Sequence, residues 1–430
     1  MQLNLPHRSI GIARALVVAC CAAGCVAAAV AATPHKLQRP GAKPAKAAKA
    51  VHGRAAPAKV RDGEAEARLI EIYKLIGQAQ TRAALARAET LVRDHPNFSL
   101  AQLVYGDLLT AQQRPVRVFG DVPDSAVRTG AQALAELREE SQQRMRALRE
   151  RPPLGAIPAQ FLQLSPQNKH AIAIDASRSR LYLFENGTAG PKLIADYYIS
   201  VGKLGIEKTA EGDLRTPLGV YFITSNLDPK SLKDFYGSGA LPINYPNPYD
   251  ARRGKTGRGI WLHGTPPEQF ARAPKATDGC VVLANPDLER IIRTVEVRST
   301  PVVIAPSLRW VAPTAAQHDA RHFHDVLQAW RNAKASGDVN RLLGFYTPDF
   351  ALNGKTFEES QPLLKVELGR MRGKEIELKD LSVLRWTDSA DTMVVTFGEV
   401  PLGARTGVTK RQYWVRQGPQ WKIFFEGVVG

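Results

Sequence analysis

Cysteine is scarce in this chain, and its distribution is uneven. Only four of the 430 residues are cysteine, and three of them fall within the first 25 positions. Cys280 is the only cysteine of the remaining sequence, so no second one is left there to form a disulfide with it. Exported proteins normally carry structural cysteines in pairs. An unpaired thiol in such a protein indicates either an intermolecular link or a reactive group.

The first 32 residues lack acidic side chains and have the character of an export signal. A basic start precedes an apolar stretch from Ala15 to about Ala29 and small residues near Ala31 that suit cleavage. The stretch is too short and too rich in alanine for a stable membrane span. We therefore expect a signal peptide at residues 1–32 and a mature protein in the periplasm or cell envelope. The AAGC sequence ending at Cys25 resembles a lipoprotein box, so membrane attachment is expected only if Cys25 is lipidated.

Acidic residues are outnumbered along the whole chain. There are 41 of them against 58 basic residues, and the formal net charge is +17. This balance favours polyanionic neighbours such as nucleic acid, anionic lipid or the acidic polymers of a cell envelope. Export and the lack of a basic–aromatic surface motif argue against nucleic acid. Residues 33–63 contain no aromatic side chain, which predicts a basic linker rich in Pro, Ala and Lys.

Residues 64–151 have apolar side chains at helical spacing, which predicts an α-helical N-terminal region. A break at His95-Pro96-Asn97 separates two helices, and a further charged helix ends before Pro152. The segment resembles a tetratricopeptide-type helical pair, although only about one and a half repeats are present. The matching positions are Ala84, Ala86, Ala88, Pro96, Ala101 and Tyr105. We expect a docking or spacing module.

The hydrophobic period changes near His170. The sequence AIAIDASRSRLYLFENG alternates apolar and polar residues and predicts strands with a hairpin turn at Asn186-Gly187. Further short strands follow, with one helix, NPDLERIIRTV, after Cys280. The pattern predicts a mainly-β domain at residues 156–305. A third unit at residues 317–430 combines a long amphipathic helix with three or four strands, which predicts an α+β domain with a curved sheet.

Cys280 and His263 are the candidate catalytic pair. His263 ends the strand-like sequence GIWLHG, and Cys280 lies on a turn where Gly279 permits a tight backbone. A nucleophilic thiol is expected to be largely thiolate near neutral pH, with a base nearby. Backbone N–H groups of the turn are candidates for oxyanion donors. A buried, inert cysteine with a core histidine is the alternative, and metal binding is disfavoured because no second Cys or His lies at ligand spacing.

The same residues carry a resemblance to a known family. His263-Gly264 is followed, after sixteen residues between His263 and Cys280, by Thr277-Asp278-Gly279-Cys280. Upstream, KTAEGDLRTPLGVYFI and LPINYPNPYDARRGKTGRGIWLHG also fit. Over about 150 residues the chain resembles the L,D-transpeptidase catalytic domain of the YkuD type.

The resemblance implies an enzyme of peptidoglycan remodelling that needs no cofactor. Cys280 attacks the tetrapeptide stem between meso-diaminopimelate and the terminal D-Ala, D-Ala leaves, and an amine acceptor resolves the thioester. His263 serves as base and then acid, a backbone carbonyl or Thr277 orients it, and the N–H groups of Gly279 and Cys280 hold the oxyanion. Substrate-binding candidates are Tyr245, Asn247, Arg253, Lys255, Arg258 and Gly264. For the arginines and the lysine, which with Arg252 precede His263, a solvated basic loop is the alternative.

Two departures from the family pattern accompany the nucleophile. Asp278 stands where the family usually has histidine, and Val282 stands where an arginine is common. A charged Asp278 disfavours a nearby thiolate. The departures leave two alternatives to transpeptidation: a hydrolase on the same scaffold, either an L,D-carboxypeptidase or an amidase releasing wall-linked lipoprotein, and a non-catalytic wall-binding scaffold.

The C-terminal region resembles the nuclear-transport-factor-2-like (SnoaL-type) cone. Its aromatic residues, among them Trp330, Phe397 and Trp414, recur at helical or alternating positions and are interpreted as core. No acid/base pair stands out in this region. The expected role is accessory, binding a wall peptide or an envelope protein partner, because this fold alone does not determine a function.

Overall fold

The structure is a computed structural model, and the predicted signal peptide, nearly all of the predicted linker and Cys25 lie outside the residues it describes. Those residues are 61–352, 355–371 and 374–429. Among them, no helix is both long and apolar enough to cross a bilayer.

The N-terminal region is helical, as predicted. Its helices are α1 (Glu64–Gly77), α2 (Thr81–Asp94), α3 (Ser99–Thr110) and α4 (Asp124–Arg149). The break predicted at His95-Pro96-Asn97 is confirmed, and a second break between α1 and α2 includes Ala79 in a left-handed conformation. Small and aliphatic side chains such as Leu69, Ala84 and Leu91 are fully buried between the helices. The helical spacing of the sequence therefore reflects a real core.

The central region is a set of small sheets built from short strands. The first strands are β1 (Arg61–Asp62), β2 (Ile157–Pro158), β3 (Phe161–Gln163), β4 (His170–Asp175), β5 (Arg180–Gly187), β6 (Gly190–Tyr198) and β7 (Val201–Gly202). The strands that follow are β8 (Gly219–Phe222), β9 (Ala240–Pro242), β10 (Trp261–His263), β11 (Lys275–Thr277), β12 (Val281–Val282), β13 (Pro301–Ala305) and β14 (Trp310–Val311). Two α-helices, α5 (Pro248–Arg252) and α6 (Asn285–Thr294), and three 3₁₀ helices (Ala176–Arg178, Pro229–Ser231, Asp234–Tyr236) complete the region.

The largest sheet of this region has the order β1-β6-β5-β4-β13-β8. The hairpin between β5 and β6 was predicted to turn at Asn186-Gly187, and this position is wrong by two residues. Gly187 still pairs with Gly190, so the turn lies at Thr188-Ala189. The Asn186 side chain donates instead to the carbonyl of Ser165. The strand therefore continues through a sequence that more often forms a turn.

A small three-stranded sheet, ordered β12-β10-β9, carries the candidate catalytic residues. Strand β10 pairs in parallel with β12 and antiparallel with β9. Residues 264–274, here called the active-site loop, connect β10 to β11. The predicted helix after Cys280 is confirmed as α6 and packs its buried Leu288 and Ile291 into the same core as β10.

The C-terminal region is an α+β fold with a curved, mostly antiparallel sheet, in agreement with the prediction. Its elements are α7 (Pro313–Ser336), α8 (Val339–Leu343), β15 (Tyr346–Leu352), α9 (Phe357–Met371), β16 (Ile376–Thr387), β17 (Asp391–Pro401), β18 (Val408–Gln417) and β19 (Gln420–Val428). Trp330, Phe397 and Trp414 are fully buried, so their interpretation as core is confirmed. The sheet order is β15-β19-β18-β17-β16-β3, so β3, a strand from the start of the central region, completes the C-terminal sheet.

The central and C-terminal regions share one hydrophobic core. Leu384 and Tyr413 of the C-terminal sheet belong to the same buried cluster as Ile172 of the central sheet. The guanidinium of Arg411 lies 3.3 Å from the centroid of the Phe222 ring. Continuous packing of this kind holds the two regions in a fixed relationship.

Candidate active site

His263 and Cys280 lie near each other at the small sheet. His263 pairs with Val282 in the parallel register between β10 and β12, and Cys280 lies two residues before Val282. Cys280 itself lies in the bend that leads into β12, and its thiol donates to the carbonyl of Gly259 over 3.5 Å. At ordinary strand spacing the two Cα atoms are roughly 8 Å apart, within the combined reach of the two side chains. The register therefore brings the predicted pair together.

The imidazole of His263 is held by its neighbour in sequence. Its Nδ1 lies 2.7 Å from the carbonyl oxygen of Gly264. A carbonyl oxygen only accepts, so Nδ1 carries the proton and Nε2 is left with a free lone pair. The rings of Tyr236 and Phe235 lie 5.1 and 5.8 Å from the imidazole centroid and shield it from water. Of the two predicted orienting groups, the backbone carbonyl takes this role and Thr277 does not.

Burial shapes the protonation of both residues. It lowers the pKa of His263 from 6.5 to about 4, a trend that the Gly264 carbonyl opposes and the charge of Arg272 reinforces. Burial raises the pKa of the Cys280 thiol, while the backbone N–H of Trp261 and the charge of Arg272 act against it. The resting pair at neutral pH is therefore a thiol beside a neutral imidazole. The prediction of a largely ionised thiolate is wrong for this resting state, because desolvation disfavours both charges.

The turn before Cys280 is organised by Thr277. Its hydroxyl donates to the carbonyl of Cys280 over 2.7 Å and accepts from the N–H of Gly279 over 3.1 Å. The carbonyl of Gly279 accepts from the Thr216 hydroxyl. Gly279 has φ of +124°, and a Cβ there would lie 2.7 Å from the carbonyl oxygen of Arg215. The turn therefore requires glycine, and the role of Gly279 as an oxyanion donor stays a prediction since its N–H is bonded within the turn.

The structure shows the surroundings of Asp278 and Val282, the two departures from the family pattern. Asp278 is largely exposed and its carboxylate lies 2.9 Å from the ammonium of Lys203. This pair partly offsets the negative charge that Asp278 places near the thiol. Val282 is buried in β12 and forms a bridge with Ser200. An apolar side chain suits that position because the residue is buried.

Gly264 permits close packing behind the histidine. A Cβ at this residue would lie 2.0 Å from the side-chain oxygen of Asn285. That oxygen accepts from the N–H groups of Ser238 and Thr265, and the Asn285 amide donates to the carbonyl of Thr265. Asn285 thus ties the start of the active-site loop to the segment around Ser238, a role that the sequence did not indicate.

Three predicted substrate-binding residues make contacts within the scaffold. The hydroxyl of Tyr245 donates to the carbonyl of Thr256, and the side chain of Asn247 caps α5. Lys255 forms an ion pair of 3.0 Å with the buried carboxylate of Asp250. Their role in substrate binding stays a prediction, and the structure gives each of them a structural partner.

The basic residues before His263 divide into two groups. Arg253 forms an ion pair with Asp388, and Arg252 lies 2.6 Å from Asp349, so both bridge the central and C-terminal regions. Arg258 is exposed. Two members of the basic cluster that the sequence suggests, Arg252 and Arg253, are therefore engaged in contacts between domains. Binding of substrate by Arg253 and Arg258 stays a prediction.

Two charged features of the structure were missed in the sequence. Arg272 of the active-site loop is 9% exposed and lies over the ring of Phe235, 4.5 Å from its centroid. In the C-terminal sheet, Lys334 and Lys410 contact the buried carboxylate of Glu399 at 2.7 and 3.3 Å. Only the folded chain reveals these sites, because the groups involved are distant in sequence or lack any motif.

The fold and the site define a class of protein: a β-rich domain with a thiol and an imidazole near each other at a small sheet, joined to a curved α+β domain. Residues 169–304 match the family model of the L,D-transpeptidase catalytic domain, YkuD. Residues 322–427 match the Cds6 C-terminal NTF2-like domain. The chain thus carries an L,D-transpeptidase-type domain followed by an NTF2-like domain. A comparison with curated proteins gave no match.

Solved structures have a similar fold over about two thirds of the chain. Bd1075 from Bdellovibrio bacteriovorus aligns with a TM-score of 0.55 at 24% identity, covering 64% of this chain and 98% of its own. The helical cell shape determining protein Pgp2 from Campylobacter jejuni aligns with a TM-score of 0.50 at 24% identity, covering 63% of this chain and 95% of its own. At this identity the similarity establishes the fold.

Proposed function

We propose that the chain is an exported L,D-transpeptidase that forms a thioester between Cys280 and a peptidoglycan tetrapeptide stem and transfers it to an amine. The observation that carries the proposal is the strand register that brings Cys280 near His263, with Nδ1 of His263 bonded to the Gly264 carbonyl. This bond leaves Nε2 as the basic nitrogen for the thiol proton. The family match of residues 169–304 supports the class of reaction.

The first half-reaction starts from the neutral pair. The Cys280 sulfur attacks the carbonyl carbon between the L-centre of meso-diaminopimelate and D-Ala, while Nε2 of His263 takes the thiol proton. Backbone N–H groups of the turn are the proposed donors to the oxyanion. The carbon–nitrogen bond then breaks, the leaving amine of D-Ala takes the proton from His263, and a thioester remains on Cys280.

The second half-reaction returns the enzyme to its resting state. An acceptor amine attacks the thioester carbon and gives a proton to Nε2 of His263. The carbon–sulfur bond breaks, the sulfur of Cys280 recovers the proton, and a new amide is formed. If water replaces the amine, the products are a tripeptide and the free enzyme.

Export and wall association belong to the same proposal. The signal-like residues 1–32 and the net charge of +17 support a location in the envelope next to acidic wall polymers. We assign the helical region and the NTF2-like domain to contacts with the wall or with an envelope protein.

Incubation of the purified chain with disaccharide-tetrapeptide, followed by mass analysis of the products, tests the proposal. Cross-linked dimers or exchange of D-Ala for another D-amino acid support transfer, and tripeptide alone assigns the chain to hydrolysis. Cys280→Ala is the matched control and is expected to give neither product. A carbapenem should leave a covalent adduct on the peptide that carries Cys280. If neither turnover nor an adduct is found, the proposal of an enzymatic function is contradicted.

A further inference from the structure

The guanidinium of Arg272 is largely buried at the active site, where the carboxylate of Asp278 acts on it electrostatically without forming an ion pair. It stacks on Phe235, whose ring lies 5.8 Å from the ring of His263. Among the residues that the structure describes, no carboxylate lies within ion-pair distance of it and no side-chain hydrogen bond holds it. A buried charge in this situation is costly, and an anion that enters the site would relieve the cost.

The backbone that carries Arg272 is held in place on both sides. The hydroxyl of Tyr198 donates to the carbonyl of Arg272 over 2.9 Å. Two residues earlier, Phe270 stacks on Phe98 and its N–H donates to the carbonyl of Asn97. The position of the guanidinium is therefore set before any ligand arrives, which reduces the entropy that binding has to overcome.

Other cations near the thiol are already neutralised. Lys208 forms an ion pair of 2.7 Å with Asp213, and Lys203 pairs with Asp278. Arg272 acts electrostatically on both reacting groups, since its charge favours the thiolate of Cys280 and disfavours the protonated form of His263. A group so close to the reacting atoms is well placed to contact the substrate beside the scissile bond.

We propose that Arg272 binds a free carboxylate of the substrate next to the carbonyl that Cys280 attacks, and that the D-Ala C-terminus supplies this carboxylate. The inference rests on the proposed function, because it names what that site recognises. A guanidinium pairs with a carboxylate through two parallel hydrogen bonds, which fixes orientation as well as charge. The site then selects stems that end in a free acid one residue beyond the scissile bond.

Alkylation of Cys280 tests the anion site without assuming a reaction. Iodoacetate and iodoacetamide consume the same thiolate, so the ratio of their rates, normalised to a free cysteine peptide, cancels any change in the thiol pKa. The normalised ratio, read by mass analysis of the Cys280 peptide, should exceed one in the wild-type chain. It should fall about tenfold in Arg272→Met. Lys275→Met, which removes an exposed charge near the same loop, should stay within about twofold of wild type.

Stem peptides then identify which carboxylate is bound. For the wild type, amidation of the D-Ala C-terminus should lower kcat/KM at least about tenfold, and Arg272→Met should lose this preference. Arg272→Lys should recover part of it, since it keeps the charge without the paired geometry. If amidation of the free diaminopimelate carboxylate has the larger effect, that group is the ligand rather than the C-terminus.

The outcomes separate this inference from the proposed function. A wild-type alkylation ratio at or below one, a measurement that needs no variant, overturns the anion site even if Arg272→Met does not fold. So does an unchanged free-acid preference in a folded Arg272→Met. If no stem peptide is turned over while the alkylation ratio still depends on Arg272, the proposed function fails and the anion site stands.

Discussion

Phe270 of the active-site loop stacks on Phe98, which lies just before α3, with 4.3 Å between the ring centroids. Phe270 thus belongs to the core of the helical region although it lies between His263 and Cys280 in sequence. The side chain of Asn97 adds a hydrogen bond to the carbonyl of Pro267. The helical region, which the sequence suggests only as a docking or spacing module, directly supports the loop that joins the two candidate catalytic residues.

Removing the contact between Phe98 and Phe270 should reduce activity, because the active-site loop then loses its support. Phe98→Ala leaves the loop sequence intact but removes the surface against which Phe270 packs, so we expect a loss of at least about tenfold in kcat with stem peptide. The exposed Leu109→Ala in α3 is the matched control and should keep wild-type rates. Thermal unfolding of each variant separates a displaced loop from global destabilisation. Wild-type kcat in a folded Phe98→Ala would contradict the positioning role.

The low pKa of His263 should extend activity into the acid range. With a pKa of about 4 in the free enzyme, the imidazole remains a base well below pH 6. The acid limb of kcat/KM should therefore lie near pH 4–5 rather than near 6.5. His263→Gln should abolish turnover at every pH. An acid limb centred near 6.5 would show that His263 is solvated in the working enzyme.

The same shift predicts a pH dependence of stability. In the unfolded chain His263 binds a proton below its ordinary value of 6.5, whereas in the folded chain it does so only near 4. The free energy of unfolding should therefore fall as pH drops from 6.5 to 4, by about 3 kcal/mol from this group. Denaturant unfolding of the wild type and of His263→Gln across this pH range gives the contribution of His263 as the difference between their free energies of unfolding. Parallel curves across this range would exclude it.

Thr277 should control the geometry of the nucleophile turn. Thr277→Val keeps the shape of the side chain but loses the hydroxyl that contacts the Cys280 carbonyl and the Gly279 N–H. We expect a loss of about 1–3 kcal/mol in stability and lower kcat. Thr277→Ser, which retains the hydroxyl, should recover most of both. Equal behaviour of the two variants in unfolding and kinetics would show that the hydroxyl is dispensable.

A buried ion network joins α1, α4 and the central sheet. Glu66 contacts Arg144 at 3.0 Å and Arg180 at 2.7 Å, and Arg180 also pairs with Asp196. Burial alone raises the pKa of Glu66, but the charges of Arg180 and Arg144 outweigh it and lower the pKa below 4.5. Glu66 therefore stabilises the fold above pH 4.5, and this contribution is lost as pH falls through its folded pKa.

Glu66→Gln should cost about 3–5 kcal/mol, because it leaves two buried guanidinium groups without this carboxylate. The exposed Glu64→Gln on the same helix should change stability by less than about 1 kcal/mol. Chemical denaturation at pH 7 gives both values. A loss in Glu66→Gln as small as that of Glu64→Gln would show that the network contributes little.

The sequence predicts best where a feature is local. The helices and most strands follow from the periodicity of nearby residues. The spacing of His263 and Cys280 is read directly from the sequence. The hydrogen bond from His263 to Gly264 is also local, and a backbone carbonyl was one of the two groups expected to make it.

The residues whose contacts were not foreseen depend on distant partners. Arg253 precedes its partner Asp388 by 135 positions, so nothing near Arg253 distinguishes an interdomain ion pair from a substrate contact. Arg272 carries no motif, and only the folded loop shows it buried on Phe235 beside the thiol. The resting thiol was likewise unforeseen, because desolvation depends on how the whole domain packs around Cys280.

Strand β3 has a consequence for the order in which this chain folds on the ribosome. The Ser382 hydroxyl on β16 donates to the carbonyl of Gln163 on β3 across 219 positions. At typical synthesis rates, β3 waits roughly ten to forty seconds for its partner strand to emerge. During that time the transpeptidase-type domain completes its own chain, inserted between two pieces of one sheet. A nascent chain that stops before β16 therefore carries an open strand, and a separately expressed C-terminal domain needs β3 supplied in trans.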